Sequence, residues 1–138
     1  MNSDRTINLK SVKKSDVVFL YNLLNERDPK TNISHQKMPT LKQHIKFINS
    51  KPYFKWYIIY LNSEKVGSIY MSKQNEVVIH VLKKFVFEKI SSRALKTIIE
   101  KNPRKKLFIN ISPQNRKLQQ FFSKKGFKLI QYTYRLSK

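Results

Sequence analysis

Glu76 and His80 are the residues whose types and spacing suit proton transfer. Both lie in residues 76–82, a short run rich in Val and Ile that predicts a β-strand. Successive side chains of a strand point to opposite faces, so Glu76, Val78 and His80 share one face. An imidazole titrates near neutrality, and a carboxylate can accept a proton directly or through water. This face is therefore a candidate site of acid–base chemistry.

The segment after this strand is suited to binding an anion. Residues 83–90 form a basic loop, and a helix is predicted to begin at Ser91 or Ser92, where a hydroxyl group can cap it. The first amides of a helix lack partners within it and carry about half a positive charge, which favours an anion there. A plain strand-to-helix crossover is the alternative. The apolar stripe of this helix is Ala94, Leu95, Ile98 and Ile99.

Length and composition indicate one domain, residues 1–138, whose 40% hydrophobic residues are enough for a single core. No apolar run is long enough to cross a bilayer and residues 1–5 lack the core of a signal peptide, so a soluble cytoplasmic protein is expected. The absence of cysteine excludes disulfides, a thiol nucleophile and a cysteine metal site. No metal is expected, because His35, His44 and His80 show no ligand spacing with a carboxylate.

The formal charge of +21 predicts attraction of polyanions. Nucleic acid, an anionic membrane, a coenzyme with several phosphates and a nucleotide-linked sugar all qualify. Nearly all of the positive residues are lysines scattered through every segment, so compositional drift explains the charge equally well.

Two helices and further strands are predicted around this site. One helix follows Ser15 or Asp16, and another follows Thr40 and stops before Pro52. Their apolar stripes are Val18, Phe19, Leu20, Leu23 and Leu24 in the first, and Leu41, His44, Ile45, Phe47 and Ile48 in the second. Residues 28–32 are predicted to be a turn, because the residue before proline avoids the helical region.

The strand predictions describe an antiparallel meander followed by a parallel strand. Residues 107–111 form a nearly continuous apolar run that suits a buried parallel strand. A last helix over residues 116–124 ends at Gly126, where a left-handed cap is required. The other predicted strands are residues 6–12, 53–61, 66–71, 76–82 and, as one strand or two, 127–136.

This order of elements resembles the GNAT N-acetyltransferase fold over essentially the whole chain. The most specific match is residues 109–115 running on to residues 121–127, which resemble the family's apolar strand, Asn, helix and Gly-Phe. Gly67 also stands where the family usually has glycine after a hairpin. The resemblance implies an α+β (mixed α/β) fold with a mostly antiparallel sheet of six or seven strands, a splayed parallel pair and about four helices.

The resemblance implies that acetyl-CoA binds at the basic loop and the following helix. The family carries Gln/Arg-x-x-Gly-x-Gly/Ala there, whereas residues 87–92 are Phe-Glu-Lys-Ile-Ser-Ser and hold none of these signature residues. Backbone amides are the main donors to a diphosphate, and every residue except proline supplies one. The implied coenzyme contacts are Val81, Lys83, Lys89, Ile90, Ser91, Ser92, Arg93 and Asn115.

The implied reaction is direct attack of a primary amine on the thioester. The amide of Val81 would hold the oxyanion, and His80 or Glu76 would be the general base. The family often places a Tyr at the position of Phe122 to protonate the thiolate. Here the thiolate leaves unassisted or takes its proton from one of Ser123, Tyr132 and Tyr134.

Residues 40–47 resemble the branch of the family that acetylates nucleotide-linked amino sugars, and residues 24–27 do so more loosely. The partner implied is a small-molecule amine contacted by His44 and Asn25, and the protein would be a monomer or homodimer. One alternative is a nucleic-acid-binding domain that uses the charge and the aromatic side chains of Tyr53, Phe54, Trp56 and Tyr57. Another is a GNAT fold that has lost catalysis, suggested by the missing glycines and by Phe122.

Overall fold

An antiparallel meander of four strands separates two layers of helix in the computed structural model, which describes residues 6–26, 38–86 and 88–137. The strands are β1 (Ile7–Ser11), β2 (Lys55–Leu61), β3 (Glu64–Met71) and β4 (Val77–Val81), and they pair in that order. The helices are α1 (Val17–Asn25), α2 (Leu41–Asn49), α3 (Glu88–Lys101) and α4 (Arg116–Lys124).

The larger hydrophobic core lies between the sheet and the layer of α3 and α4. Alternation along β2 turns Tyr57, Ile59 and Leu61 toward this core. Helix α3 contributes residues spaced by about one turn, as its apolar stripe predicts. The fully or nearly buried members from the helices are Ile90, Ala94, Leu95, Ile98 and Phe122.

A smaller core lies on the opposite face of the sheet, under α1 and α2. Leu20 and Leu23 of α1, Ile48 of α2 and Ile58 of β2 form it. The helix stripes predicted from the sequence are only partly buried, because Val18, Leu41 and Ile45 are exposed. The two short helices therefore bury narrow stripes and leave room for a cavity between them and the sheet.

Local sequence signals for helix ends are confirmed at α2 and α4. The Thr40 hydroxyl accepts a hydrogen bond from the Gln43 amide at 3.1 Å, and the Gln43 side chain accepts one from the Thr40 amide at 2.9 Å. Gly126 follows α4 with a φ of 96°, the left-handed conformation that ends the helix. Both helices lie where the sequence predicts them.

Two predicted strands are not strands in the structure. Residues 107–111 make only an isolated parallel bridge, between Phe108 and Glu76. Residues 127–136 have no regular structure, and apolar side chains there are exposed, with Ile130 at 73%. An alternating pattern yields a strand only where a partner strand supplies hydrogen bonds. In the described part of the chain the sheet therefore has four strands rather than six or seven.

The start of α3 also differs from the prediction. The helix begins at Glu88 rather than at Ser91 or Ser92. Ile90, Ala94 and Ile98 follow one another at one-turn spacing and are each at most 3% exposed. Burial of Ile90 against the sheet therefore extends the helix past the hydroxyl residues that could have capped it.

An ion pair ties the helical layer of α1 to the sheet. Asp16, just before α1, has a buried side chain whose Oδ1 lies 2.6 Å from Lys65 Nζ on β3. Its Oδ2 accepts a hydrogen bond from the Lys13 amide at 2.8 Å. The hydrogen bond with Asp16 raises the pKa of Lys65 above its usual value.

Several predictions fall outside the described residues: those for residues 1–5, for the turn at residues 28–32 and for His35. Among the helices that the structure does describe, none combines the length and apolar character required to cross a bilayer.

Candidate active site around strand β4

Strand β4 presents different side chains to the two helical layers, as its alternation predicts. Val77 is buried in the larger core, and Ile79 and Val81 pack against it. Val78 and His80 face the opposite way, toward α1 and α2. His80 is opposite Ser68 in β3, and Val78 is opposite Tyr70. These two cross-strand pairs place the side chains next to one another on this face of the sheet.

A cavity of about 340 Å³ lies between this face of the sheet and helices α1 and α2. Leucines of α1 form its apolar side, and His44 of α2 and His80 of β4 both lie on its wall. Small-molecule sites in proteins are commonly concave and mostly apolar, with a few convergent polar groups. The cavity therefore has the character of a site for a small molecule.

Four aromatic side chains from α2, β2, β3 and the segment before β2 line the cavity, and we call them the aromatic wall: Phe47, Tyr53, Trp56 and Tyr70. The rings of Tyr53 and Tyr70 are parallel within 6°, with centroids 3.6 Å apart. Trp56 meets Tyr53 edge to face at 4.8 Å, and its indole N–H donates to the Ser68 hydroxyl at 2.8 Å. These contacts hold the wall in one arrangement.

His44, which the sequence resemblance implies as an acceptor contact, is 5% exposed and lies on the cavity. Its ring centroid is 5.2 Å from that of Tyr21, whose hydroxyl donates to the Pro39 carbonyl at 2.8 Å. Asn25, the other predicted acceptor contact, is exposed at the end of α1 and does not line this cavity. The structure thus brings His44 and His80 together, without Asn25.

Glu76 does not line the cavity, although it precedes His80 on the same strand face. One carboxylate oxygen accepts a hydrogen bond from Asn110 Nδ2 at 2.9 Å, and the other accepts one from the Ser72 hydroxyl at 3.4 Å. These bonds sit beside the backbone bridge from Glu76 to Phe108. The carboxylate therefore links β4 to residues 107–111.

The amide of Val81 faces the outer edge of β4. Leu82 donates its amide to the Val66 carbonyl of β3 at 2.8 Å, whereas Val77 donates in the opposite direction, to Phe108, at 2.8 Å. Amide directions alternate along an antiparallel strand, so Val77, Ile79 and Val81 all point away from β3. Beyond the bridge at Phe108, no strand pairs with this edge in residues 6–26, 38–86 and 88–137.

Gly67 permits the close approach of β3 to this part of β4. A Cβ atom at Gly67 would lie 2.5 Å from the His80 carbonyl oxygen and 3.0 Å from Val81 Cα. The sequence resemblance places glycine here, and the structure supplies the physical reason. Gly67 holds the backbone of His80 and Val81 against β3.

Five of the residues predicted to contact a coenzyme lie in the first turns of α3, after the short helical turn Lys83–Phe85: Lys89, Ile90, Ser91, Ser92 and Arg93. Because α3 begins at Glu88, its first-turn amides belong to residues 88–91. The Ile90 side chain is 3% exposed and packs in the larger core, so it does not occupy the space before the helix. Lys89 and Arg93 are exposed. Phe87 lies outside the described residues.

These features fit a diphosphate group despite the missing glycines. The first-turn amides of a helix point along its axis toward the N-terminus, whereas the Ile90 side chain is directed into the larger core. Exposed lysines adjoin them, and Ser91 and Ser92 are half-buried in the same turns. The Lys83 amide itself is engaged, because it donates to Glu26 Oε1 at 2.9 Å.

Helix α4 carries the remaining predicted site residues. Asn115 caps the helix, since its Oδ1 accepts a hydrogen bond from the Leu118 amide at 3.2 Å. Phe122 is 3% exposed and packs edge to face against Phe121 and Phe127, so it is a core residue. Tyr132 and Tyr134, the alternative proton donors, are 72% and 89% exposed in the irregular tail.

The aromatic side chains considered for nucleic-acid binding are mostly engaged elsewhere. Tyr57 is buried in the larger core, and Tyr53 and Trp56 belong to the aromatic wall. Phe54 is the exposed member, at 43%, with the Arg104 guanidinium 4.6 Å from its ring centroid. Among the described residues no group of three or more His, Cys, Asp or Glu side chains could hold a metal ion.

Sequence reasoning did not find the aromatic wall. The sequence does contain residues of this wall at suitable positions. Trp56 and Tyr70 lie on the strand face that carries His80 when β2, β3 and β4 are aligned in register. Register depends on tertiary pairing, so alternation within each strand could not show that the three residues meet.

Several solved structures of similar shape are named as acetyltransferases. An acetyltransferase from Thermus thermophilus has a TM-score of 0.73 at 15% identity, covering 92% of this chain and 90% of that chain. RimL, a ribosomal L7/L12 alpha-N-protein acetyltransferase in complex with coenzyme A, has a TM-score of 0.71 at 16% identity, covering 91% and 82%. The chain has the GNAT fold.

A third similar structure is the spermidine/spermine N-acetyltransferase SpeG from Vibrio cholerae, with a TM-score of 0.67 at 17% identity, covering 88% of this chain and 79% of that chain. No protein-family model and no curated protein matches the sequence. Within the GNAT fold, the structural neighbours include enzymes named for protein and for polyamine acceptors. The fold alone therefore leaves the acceptor to be argued from the cavity.

Proposed function

We propose that this protein is an N-acetyltransferase that transfers acetyl from acetyl-CoA directly to a primary amine. The observation that carries the proposal is the arrangement of His80 and Val81, consecutive residues of β4. The His80 side chain lies on the cavity wall, and the Val81 amide faces the open edge of the strand. An amine in the cavity and a thioester at the edge would meet at this point.

Acetyl-CoA supplies the thioester carbonyl that the amine attacks and the thiolate that leaves. His80 takes the proton that the amine nitrogen loses as the C–N bond forms. The Val81 N–H donates to the carbonyl oxygen as negative charge develops on it. When the C–S bond breaks, its electron pair stays on sulfur, and a thiol is acidic enough to leave as the anion and take a proton from solvent. A hydroxyl at Phe122 is therefore not required.

The first turn of α3 would hold the diphosphate of the coenzyme through its amides and through Lys89 and Arg93. Asn115, whose carbonyl oxygen caps α4, would use its amide nitrogen toward the pantetheine arm. A nucleotide-linked amino sugar is the acceptor that we propose. The positive field of a chain with charge +21 attracts its phosphates, and His44 adjoins the cavity in which its amine would lie.

Calorimetry with acetyl-CoA, followed by an assay of thiol release with a UDP-linked amino sugar and a broad amine panel, tests this proposal. We expect saturable binding and release of one thiol per acetylated amine. No binding of acetyl-CoA at millimolar concentration would overturn it. Binding without turnover on any amine would instead identify a GNAT fold that has lost catalysis.

A pair of lysines on α3 provides a matched control for the coenzyme site. Lys89 lies in the first turn, and Lys96 lies two turns later on the same side of the helix, also exposed. Lys89→Ala should weaken acetyl-CoA binding about tenfold, because it removes a charge beside the diphosphate, whereas Lys96→Ala should not. Equal weakening by both variants would mean that only net charge attracts the coenzyme.

A further inference from the structure

We propose that, besides a nucleotide-linked amino sugar, the cavity accepts a small amine that carries a planar aromatic ring, and that the aromatic wall selects for this ring. This inference rests on the proposed function, from which it takes the position of the reacting amine beside His80. Binding of the ring itself does not depend on catalysis, so the two can fail separately.

The arrangement of the wall is suited to a planar ligand. Tyr53 and Tyr70 already form a parallel stack at 3.6 Å, and Trp56 stands at 81° to Tyr53 and 74° to Tyr70. A flat ring can join such a set by stacking or by edge-to-face contact, which a saturated ring of similar size cannot do equally well. The hydrogen bond from Trp56 to Ser68 keeps the indole in place before a ligand enters.

The aromatic wall lies close enough to His80, the proposed base, for one small ligand to contact both. Tyr70 is paired with Val78, and Ser68 with His80, so the wall and the imidazole are separated by one same-face step along the strands. That step is about 7 Å. A ring held by the wall therefore leaves an amine on a short side chain within reach of His80.

The volume of the cavity and the net charge of the protein both suit a small aromatic amine. A volume of about 340 Å³ is at the lower end of small-molecule sites, large enough for a ring with a short substituent. Leu20, Leu23 and Leu24 add apolar surface opposite the wall. The charge of +21 repels polycations, so aromatic amines of low positive charge are favoured over polyamines.

Trp56 is the only tryptophan of the chain and lies in the cavity, so its fluorescence reports on the occupant directly. The probes are 2-phenylethylamine and 2-cyclohexylethylamine, which have the same linker and amine and differ in ring planarity, together with spermidine. We expect saturable quenching by 2-phenylethylamine and at least tenfold weaker binding of the other two. Equal affinities for the two monoamines would overturn the inference.

Variants in the wall link the preference to these rings. Tyr53→Leu and Tyr70→Leu keep apolar volume and should bring the two monoamines within about threefold of each other. Phe54→Leu is the matched control, because this neighbouring ring is exposed and does not line the cavity, and it should preserve the preference. Tyr53→Phe, which retains the ring, should preserve it too, and the comparison of the two monoamines in the wild-type protein still decides the matter if the leucine variants do not fold. Loss of preference in Phe54→Leu, or its retention in folded leucine variants, would refute the role of the wall.

The assay of acetyl transfer separates the two proposals. Selective binding of the aromatic amine without any transfer would leave the ring site standing and overturn the proposed transferase. Equal kcat/KM for the aromatic and saturated amines would support the transferase and overturn the selection by the wall.

Discussion

Glu76 and His80 are on the same face of β4 but have different surroundings. The Glu76 carboxylate accepts hydrogen bonds from Asn110 and Ser72, which join β4 to residues 107–111. The His80 side chain lies on the cavity between α1, α2 and the sheet. We therefore propose His80 rather than Glu76 as the general base, and a structural role for Glu76.

Replacing His80 by Gln should lower kcat for amine acetylation by about 100-fold, because general-base catalysis is removed while the side chain remains polar. The fall in rate toward acid pH that protonation of the imidazole causes should disappear as well. The measurement is a pH profile of kcat, with thermal unfolding as the control for folding. An unchanged profile in His80→Gln would assign the base elsewhere.

Replacing Glu76 by Ala should destabilise the protein by about 1–2 kcal/mol, because the polar groups of Asn110 and Ser72 lose their acceptor. Urea unfolding measures this change. In a double-mutant cycle with Asn110→Ala the two effects should be less than additive, since the residues share one hydrogen bond. A loss of kcat as large as that of His80→Gln, with stability intact, would restore Glu76 as the base.

Strand β3 positions the reactive part of β4 through one glycine. The approach at Gly67 leaves no room for a Cβ atom, which would meet the His80 carbonyl oxygen at 2.5 Å. This contact lies beside an irregularity in the register between β2 and β3 at Ile59 and Tyr60. The chemistry that we propose at His80 and Val81 would thus depend on the spacing of two strands.

Gly67→Ala should cost about 1–3 kcal/mol and lower kcat, because β4 must move away from β3 to admit the methyl group. Gly126→Ala is the comparison, since a Cβ atom there meets nothing within 4 Å but the φ of 96° is strained for alanine. Gly126→Ala should therefore lower stability and leave kcat unchanged. If both variants changed kcat alike, general destabilisation rather than strand spacing would explain the loss.

At the scale of the whole molecule, the Asp16–Lys65 pair joins the α1 layer to the sheet. The Asp16 side chain is only 4% exposed, and its carboxylate is stabilised there by the ion pair with Lys65 and the hydrogen bond from the Lys13 amide. Removing one member of a buried pair leaves the other charge without compensation.

Lys65→Met should destabilise the protein by about 2–3 kcal/mol near neutral pH. Because the pKa of Lys65 is raised in the folded state, its contribution is complete below its usual pKa of 10.5 and is lost as pH rises through the raised value. Urea unfolding from pH 8 to 11 should show the difference between wild type and Lys65→Met shrinking at the alkaline end. The double variant Asp16→Asn/Lys65→Met should lose less stability than Lys65→Met alone. A constant difference across this pH range would exclude the ionic contribution.

The sequence alone determined the elements whose signals are local. The helix that follows Thr40, the left-handed Gly126 and the alternation of β4 each involve residues close in the chain, so periodicity and capping rules found them. The alternation also put His80 on the face opposite Val77 and Val81 before any partner strand was known.

Only the tertiary structure decided which of these elements meet. Burial of Ile90 set the start of α3, and the tail of residues 127–136 pairs with no strand in the described part of the chain despite its strand-like pattern. Pairing in register brought Trp56, Tyr70 and His80 to one cavity and separated Glu76 from it. The physical reason is that local propensity fixes the direction of a side chain, whereas its neighbours depend on contacts between segments distant in sequence.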